Sequence, residues 1–224
     1  MQTKHSDLLK ALTPGGNLVS FNAVPGRRKK LPLNPVMLLL VFLGVLTVLP
    51  RIASADDQLW STLKTEKNLF VLMRHMHARG GNPLTWDETG NCDGESELTN
   101  RGRAHARRVG EAFKAHGIKI GAILSSPMCR CRQTVEEAFG GEFFTDPVLR
   151  EIASANDDGR RLFEERARKL IAKYRGDAPV VFVSHRPNID LLAVELIKIE
   201  EMLVAKSDEN GELEIVGKLN IEEP

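Results

Sequence analysis

Four short apolar runs, separated by helical and polar segments, are the feature that most limits how this chain can fold. The runs lie at 68–73, 121–126, 142–145 and 179–184. Continuous apolar runs of this length are typical of strands buried on both faces of a sheet. Strands that alternate with helices predict an α/β fold, a three-layer sandwich with a mostly parallel central sheet.

The segments between the strands have helical periodicity and recognisable ends. Thr99 is a good N-cap for the first of these helices and Gly117 a good C-terminal stop. Asn210-Gly211 predicts a tight turn, and therefore a C-terminal β-hairpin over 202–219. The predicted helices are 99–116, 129–139, 159–175 and 187–199.

The first 55 residues are typical of a secretory leader. A basic cluster, GRRKK at 26–30, precedes the apolar run VMLLLVFLGVLTVL at 36–49, and small residues follow at 53–55. This order predicts a signal peptide cleaved after Ala55, with an uncleaved N-terminal membrane anchor as the alternative. We therefore expect residues 56–224 to form the functional domain, in the periplasm or otherwise exported, with membrane contact only through the N-terminal segment.

The distribution of charge argues against nucleic-acid binding. Residues 1–55 hold seven of the 31 Lys and Arg residues and one of the 30 Asp and Glu residues. Residues 56–224 are left with 24 bases and 29 acids, a net charge of −5. A mildly acidic domain lacks the basic surface that nucleic-acid binding requires.

Three of the predicted strands end in residues that can bind anions or do chemistry. Arg74 and His75 follow the first strand, Arg130 lies in the helix after the second, and His185 follows the fourth. The carboxyl ends of parallel strands share one edge of a sheet, so these side chains are expected to meet. The N-termini of the following helices would add N–H donors. The sequence therefore predicts a phosphate pocket.

Histidine would add catalysis to phosphate binding. A neutral imidazole can attack phosphorus and form a phosphohistidine, while arginines stabilise the transition state. The leaving oxygen then needs a proton, and Glu151, after the third strand, is placed to donate it. The expected chemistry is hydrolysis of a phosphomonoester.

Three segments resemble the motifs of the histidine phosphatase superfamily, also called phosphoglycerate mutase-like. They are LMRHMHA, LSSPMCRCRQTVE and VFVSHRPNI, and ELTNRGRAHARRVGEAF resembles a further family segment. The resemblance covers 68–199 in order. The exported form resembles a bacterial subgroup that includes the lipopolysaccharide core heptose phosphatase.

The resemblance implies a role for each matching residue. His75 would be the nucleophile and His185 a second catalytic histidine that, with Arg74 and Arg130, holds the phosphoryl group. Glu151 would be the proton donor, and Arg79 is either a further substrate contact or a loop cation. Met76 and Arg186 replace family glycines, so Met76 is expected to narrow the site and Arg186 to add a substrate contact.

Neither a metal nor a cofactor is expected. His75 and His77 are two residues apart, but no acidic cluster accompanies them and neighbouring arginines would repel a cation. The partner is a small phosphorylated substrate, for which a lipopolysaccharide sugar phosphate is one candidate. A non-catalytic phosphate-binding protein and a phosphomutase are the alternative functions.

The three cysteines allow a disulfide if the domain is exported. Cys92 lies in the polar loop after the first strand, and Cys129 begins the helix that carries Arg130. Both are expected at the same edge of the sheet, so we predict a Cys92–Cys129 bond that ties the loop to a site element. Cys131 is the rival partner, and three free thiols are the other alternative.

Overall fold

The computed structural model describes residues 54–222. In chain order the first half contains α1 (Ala55–Thr65), β1 (Leu69–Arg74), β2 (Ala78–Arg79), β3 (Glu97–Leu98), α2 (Asn100–Ala115), β4 (Ala122–Ser125) and α3 (Cys129–Ala138). The second half contains β5 (Phe144–Thr145), a 3₁₀ turn (Pro147–Leu149), α4 (Asp157–Lys173), β6 (Val180–Ser184), α5 (Arg186–Ala193), β7 (Glu201–Ser207) and β8 (Leu213–Asn220). Each predicted strand is present, with its ends within two residues of the predicted ones.

Six strands form the central sheet in the order β5-β4-β6-β1-β7-β8. The pairs β5–β4, β4–β6 and β6–β1 are parallel, whereas β7 runs antiparallel to both of its neighbours. The pair β7–β8 is the predicted C-terminal hairpin, and its turn contains Gly211 at φ +80°. The α/β fold and the mostly parallel sheet are confirmed.

Both faces of the sheet are covered, which gives three layers. Along β1, Leu69, Val71 and Met73 pack with α1, α2 and α3, while Phe70 and Leu72 pack with α4 and α5. Consecutive residues of a strand point to opposite faces, so a strand covered on both sides must be apolar throughout. This explains the continuous apolar runs, and burying each of these side chains contributes roughly 1.5–3 kcal/mol.

Helix α2 has the ends predicted from the sequence, whereas helix α5 ends earlier than predicted. Thr99 caps α2 as expected, since its hydroxyl accepts the Gly102 N–H at 3.1 Å, and Gly117 follows the helix at φ +64°. The prediction of a helix over 187–199 was wrong, because α5 ends at Ala193 and Val194 takes a left-handed conformation at φ +53°. Asp190 then accepts the Ile197 N–H at 3.1 Å, which fixes the turned chain.

Helix α1 was not predicted from the sequence. Ser54 caps it by accepting the Asp57 N–H at 3.1 Å, and the Asp57 carboxylate accepts the Ser54 N–H in return. Trp60 and Leu63 bury its inner face. The predicted apolar leader at 36–49 lies outside the described residues, and within 54–222 no helix is long and apolar enough to span a membrane.

Candidate active site

The two strand-end histidines meet because their strands are neighbours in register. Arg74 of β1 pairs with Ser184 of β6, so His75 and His185 leave the sheet side by side. The His75 N–H donates to the Ser184 carbonyl at 2.9 Å, and the two imidazole centroids are 5.4 Å apart. The juxtaposition expected from the sequence is therefore present.

Arg130 reaches the same place from the first turn of α3 and is almost fully buried, with 2% of its surface exposed. Its Nη2 lies 3.0 Å from the Pro83 carbonyl, 3.1 Å from His185 Nδ1 and 3.5 Å from Glu151 Oε2. A buried guanidinium requires such partners because desolvation of an unpaired charge is costly. Arg130 thus links the loop after β1 to the histidine pair.

Glu151 follows the 3₁₀ turn and completes the cluster. Its Oε2 lies 3.4 Å from His185 Nδ1. Burial raises the pKa of this carboxyl above its ordinary value, and Arg130 opposes the shift only in part. A carboxyl group that holds its proton to higher pH is suited to protonating a leaving oxygen.

His75 presents one free ring nitrogen. Its Nδ1 lies 2.8 Å from the Met76 carbonyl. A carbonyl only accepts, so Nδ1 carries the proton and Nε2 keeps its lone pair. Burial, followed by the charge of Arg130, lowers the pKa of His75 to about 3. The imidazole is consequently neutral and able to act as a nucleophile at ordinary pH.

His185 is fully buried, and both of its nitrogens have partners. Nε2 lies 2.9 Å from Ser126 Oγ and Nδ1 lies 3.1 Å from Arg130 Nη2. The guanidinium only donates, so Nδ1 accepts and Nε2 donates to the serine hydroxyl. Burial, with Arg130 as the next cause, holds the pKa of His185 well below its ordinary value.

Unpaired donors mark where an anion would sit. Arg74 Nε and Arg130 Nη1 are buried and have no hydrogen-bond partner within 54–222. Burial lowers the pKa of Arg74, and the nearby charge of Arg186 adds to the effect. An anion would relieve both penalties, because buried N–H donors are rarely left unsatisfied. The arrangement is suited to a phosphoryl group that accepts from both arginines beside His75 Nε2.

Other predicted contacts are not part of this cluster. Arg79 is exposed on β2, opposite Glu97 of β3, and makes none of the contacts that join the cluster. Arg186 is largely exposed and lies 3.7 Å from Asp190. Met76 does not narrow the site, since its side chain is buried in the core on the α2 side of the sheet. That expectation from the sequence was wrong.

The N-terminus of α3 is occupied by a side chain that the sequence reading missed. The Cys129 N–H donates to Glu95 Oε2 at 2.8 Å, and Glu95 is buried. This N–H was expected to be available to phosphate, but a carboxylate from the polar loop has taken it. An acidic residue near a helix N-terminus in space leaves no trace in local sequence.

The predicted disulfide is confirmed. Cys92 and Cys129 are bonded, with their Cα atoms 5.8 Å apart, and Cys131 is a free, buried thiol. Arg132 supports the same loop by donating to the Gly90 carbonyl at 2.9 Å. The loop over 82–96 is thus tied to α3, which presents Arg130.

Two neighbouring histidines, two arginines and a carboxyl group lie together at the carboxyl ends of the parallel strands, an arrangement suited to binding a phosphoryl group. Residues 70–170 match the family model of the histidine phosphatase superfamily (branch 1). Over 70–170 the chain is therefore similar to the histidine phosphatase superfamily, as the sequence motifs indicated.

Several solved structures with similarity to the chain are named as phosphatases. The protein histidine phosphatase SixA complexed with tungstate is 18% identical, with 68% of this chain and 96% of that chain covered and a TM-score of 0.46. Phosphoserine phosphatase from Entamoeba histolytica is 16% identical, with coverages of 69% and 97% and a TM-score of 0.48. A mycobacterial glucosyl-3-phosphoglycerate phosphatase is 17% identical, with coverages of 67% and 98% and a TM-score of 0.48. Comparison with curated proteins finds no match.

Proposed function

We propose that this protein is an exported phosphatase that hydrolyses a phosphomonoester through a phosphohistidine intermediate on His75. The observation that carries the proposal is the difference between the two histidines. His75 Nε2 is free, while both nitrogens of His185 are engaged. Unpaired donors of Arg74 and Arg130 lie in the same cluster.

In the first step the phosphoryl group would bind between the two arginines. His75 Nε2 attacks phosphorus, the bond from phosphorus to the leaving oxygen breaks, and Glu151 transfers its proton to that oxygen. Arg130 stabilises the charge on the phosphoryl oxygens, and His185 holds Arg130 in position through Nδ1. The products of this step are the free alcohol, a phosphohistidine and an ionised Glu151.

In the second step a water molecule attacks the phosphohistidine. Glu151, now a carboxylate, accepts a proton from the water, and the bond from His75 Nε2 to phosphorus breaks. Inorganic phosphate leaves, and both His75 and Glu151 return to their starting protonation states. No group outside the cluster and the water is required.

A rapid-quench experiment with ³²P-labelled substrate tests this mechanism. We expect label trapped on His75, labile to acid and stable to alkali, and turnover that is insensitive to EDTA. Abolition of activity by EDTA, or label on a residue other than His75, would contradict the mechanism. Transfer of label to a second hydroxyl instead of water would favour the phosphomutase, and tight phosphate binding without turnover the non-catalytic protein.

Export rests on the leader sequence. A fusion of residues 1–60 to a reporter active only outside the cytoplasm should give signal, and the recovered protein should begin at Asp56. Cleavage there would also remove the Ser54 cap of α1, at a cost of about 1 kcal/mol of helix stability. An intact N-terminus in the membrane fraction would indicate an anchor, and a reporter without signal would refute export.

The substrate is a small phosphorylated compound, and the subgroup resemblance makes a lipopolysaccharide sugar phosphate one candidate beside other small phosphomonoesters and phosphohistidine protein. A panel of sugar phosphates, small phosphomonoesters and phosphohistidine protein, ranked by kcat/KM, tests this assignment. A sugar phosphate at the top of this ranking would support the subgroup resemblance.

A further inference from the structure

A cleft of about 430 Å³ opens beside Glu151. The proton donor lines it, so a phosphoester bound at the histidines would place its alcohol part there. The volume is in the range of sites for small organic ligands and exceeds what a phosphate ion needs. The lining of this cleft therefore reports on the alcohol, not on the phosphate.

Apolar and polar atoms share the cleft wall about equally. Leu84 and Leu162 are about half exposed there, at 50% and 47%, and they are among the few large apolar side chains that residues 54–222 leave open to solvent. Exposed apolar surface inside a concave site is typical of ligand binding. The main apolar lining residues are Leu84, Trp86, Val148, Ile152, Leu162 and Phe163.

Two arginines on the same cleft have no acidic partner within the described chain. Arg150 donates from Nε to the Pro147 carbonyl at 3.2 Å, and its guanidinium carbon lies 4.3 Å from the centroid of the Trp86 ring. Arg166 lines the cleft from α4. Stacking on Trp86 holds the Arg150 guanidinium in place and leaves its terminal nitrogens free to bind an anion.

Three other cations of α4 pair with carboxylates of the same helix. Arg161 pairs with Asp158 at 2.9 Å, Arg168 pairs with Glu164 at 2.7 Å, and Lys169 pairs with Glu165 at 2.6 Å. Pairs three or four residues apart form readily on a helix. Arg166 differs by facing the cleft without such a pair.

Neutral hydrogen-bonding groups are scarce in the cleft. Among its lining side chains they are the Ser154 hydroxyl and the Trp86 indole N–H. A sugar ring would need partners for several hydroxyl groups, because burying unpaired hydroxyls costs free energy. The lining suits an apolar body better than a bare sugar.

From these contacts we propose that the cleft binds the alcohol part of the substrate and selects an amphipathic phosphomonoester. The alcohol has an apolar body, which packs on the leucine and tryptophan side chains, and a second anionic group, which Arg150 and Arg166 bind. This assignment rests on the proposed phosphatase function and narrows its substrate class. It also disfavours an unmodified sugar phosphate.

Three primary-alcohol phosphates with a six-membered ring test the proposal on the full chain. They are (4-carboxycyclohexyl)methyl phosphate, its neutral carboxamide analogue, and glucose 6-phosphate. The carboxylate should exceed the amide by about tenfold in kcat/KM, the size of one charge-assisted hydrogen bond at a partly exposed site. Glucose 6-phosphate should be the poorest of the three.

Variants then locate the selectivity. In the R150Q/R166Q double variant the kcat/KM of the carboxylate ester should fall to about that of the amide ester, because the exposed charges that remain are screened by solvent. R161Q removes a cation of the same helix that does not line the cleft, and it should keep the wild-type ratio of carboxylate to amide. A ratio near one in wild type, a ratio that survives in R150Q/R166Q, or glucose 6-phosphate as the best substrate would overturn the proposal.

A binding measurement separates this proposal from the catalytic one. Trp86 lines the cleft, whereas Trp60, the other tryptophan of the chain, is buried in the core. Ligand binding to the His75→Ala protein should change Trp86 fluorescence, with the same order of affinity for the three esters. If the three esters bind with that order of affinity but wild type turns none of them over, the proposed phosphatase function is refuted and the cleft assignment is supported. Equal affinities for the three esters would refute the cleft assignment.

Discussion

His75 and His185 follow neighbouring strands of one sheet, yet their imidazoles stand in different surroundings. His75 is partly exposed and donates from Nδ1 to the next residue's carbonyl, so its Nε2 is free. His185 is fully buried, with Ser126 on one nitrogen and Arg130 on the other. The comparison teaches that strand position brings two histidines together, while hydrogen bonds from other segments separate their roles.

Replacing each of the two histidines separately with alanine should give the largest effect on kcat. His75→Ala removes the nucleophile, and we expect kcat to fall by about 10⁴-fold or more. His185→Ala removes the acceptor that positions Arg130 and should cost about 10²–10³-fold, with phosphoenzyme still formed on His75. Rapid-quench labelling of both variants measures this difference. Label on His185 in the His75→Ala protein would reverse the two roles.

Reduction of the disulfide should give the next largest effect, because the loop that the disulfide holds contacts the cluster on the His185 side. Pro83, in that loop, accepts from Arg130, the cation that contacts His185. Closing 37 residues of chain contributes about 4 kcal/mol in the chain-entropy model. Urea unfolding with and without dithiothreitol should show a loss of that order, together with a raised KM.

The Cys92→Ser/Cys129→Ser double variant is the matched control for the disulfide. Its stability should already be reduced and should not respond to dithiothreitol. Unchanged stability of the reduced wild-type protein would show that the bond does not support the loop.

Glu151→Gln sharpens the comparison from the side of the leaving group. A general acid matters most when the leaving alcohol is a poor one, so an alkyl phosphate should slow by about 10²-fold or more. An aryl ester such as p-nitrophenyl phosphate should slow only a few-fold, since its leaving group departs without protonation. Parallel kcat values on the two esters give the answer. Equal losses would assign Glu151 a structural role, through its contacts with Arg130 and His185.

The last effect, which is small over any one pH unit, concerns the pH dependence of stability. The pKa of His75 in the folded protein is lowered to about 3. Below about pH 6.5 the unfolded chain therefore binds a proton at His75 that the folded protein does not bind. The stabilising contribution is present above about pH 6.5 and is lost as the pH falls toward 3, by at most about 1.4 kcal/mol per pH unit for one proton. The raised pKa of Glu151 acts in the opposite sense at its own titration.

Urea unfolding at several pH values, for wild type and for His75→Asn, isolates the histidine term. The variant should show a shallower loss of stability between about pH 6.5 and 4, because its side chain binds no proton there. Identical slopes for the two proteins would mean that His75 is protonated in the native state.

Local chemistry was sufficient for much of the molecule. The strands could be predicted because continuous apolar runs have few alternatives when both sheet faces are covered, and Thr99 and Gly211 act within a few residues of their own positions. The Cys92–Cys129 bond followed from placing each cysteine at the same sheet edge. The cluster of His75, Arg130, Glu151 and His185 followed in the same way, because parallel strands end at one edge.

Contacts between distant segments decided the rest. Met76 is buried in the core and not in the site, and Glu95 takes the N–H at the start of α3. Helix α5 ends at Val194, where no glycine or proline in the sequence predicts a helix end. Periodicity and caps depend on near neighbours, whereas side-chain direction after a strand and the partner of a buried N–H depend on whichever distant segment packs there. For the same reason the sequence placed two histidines at one edge, and folding determined which of them keeps a free nitrogen.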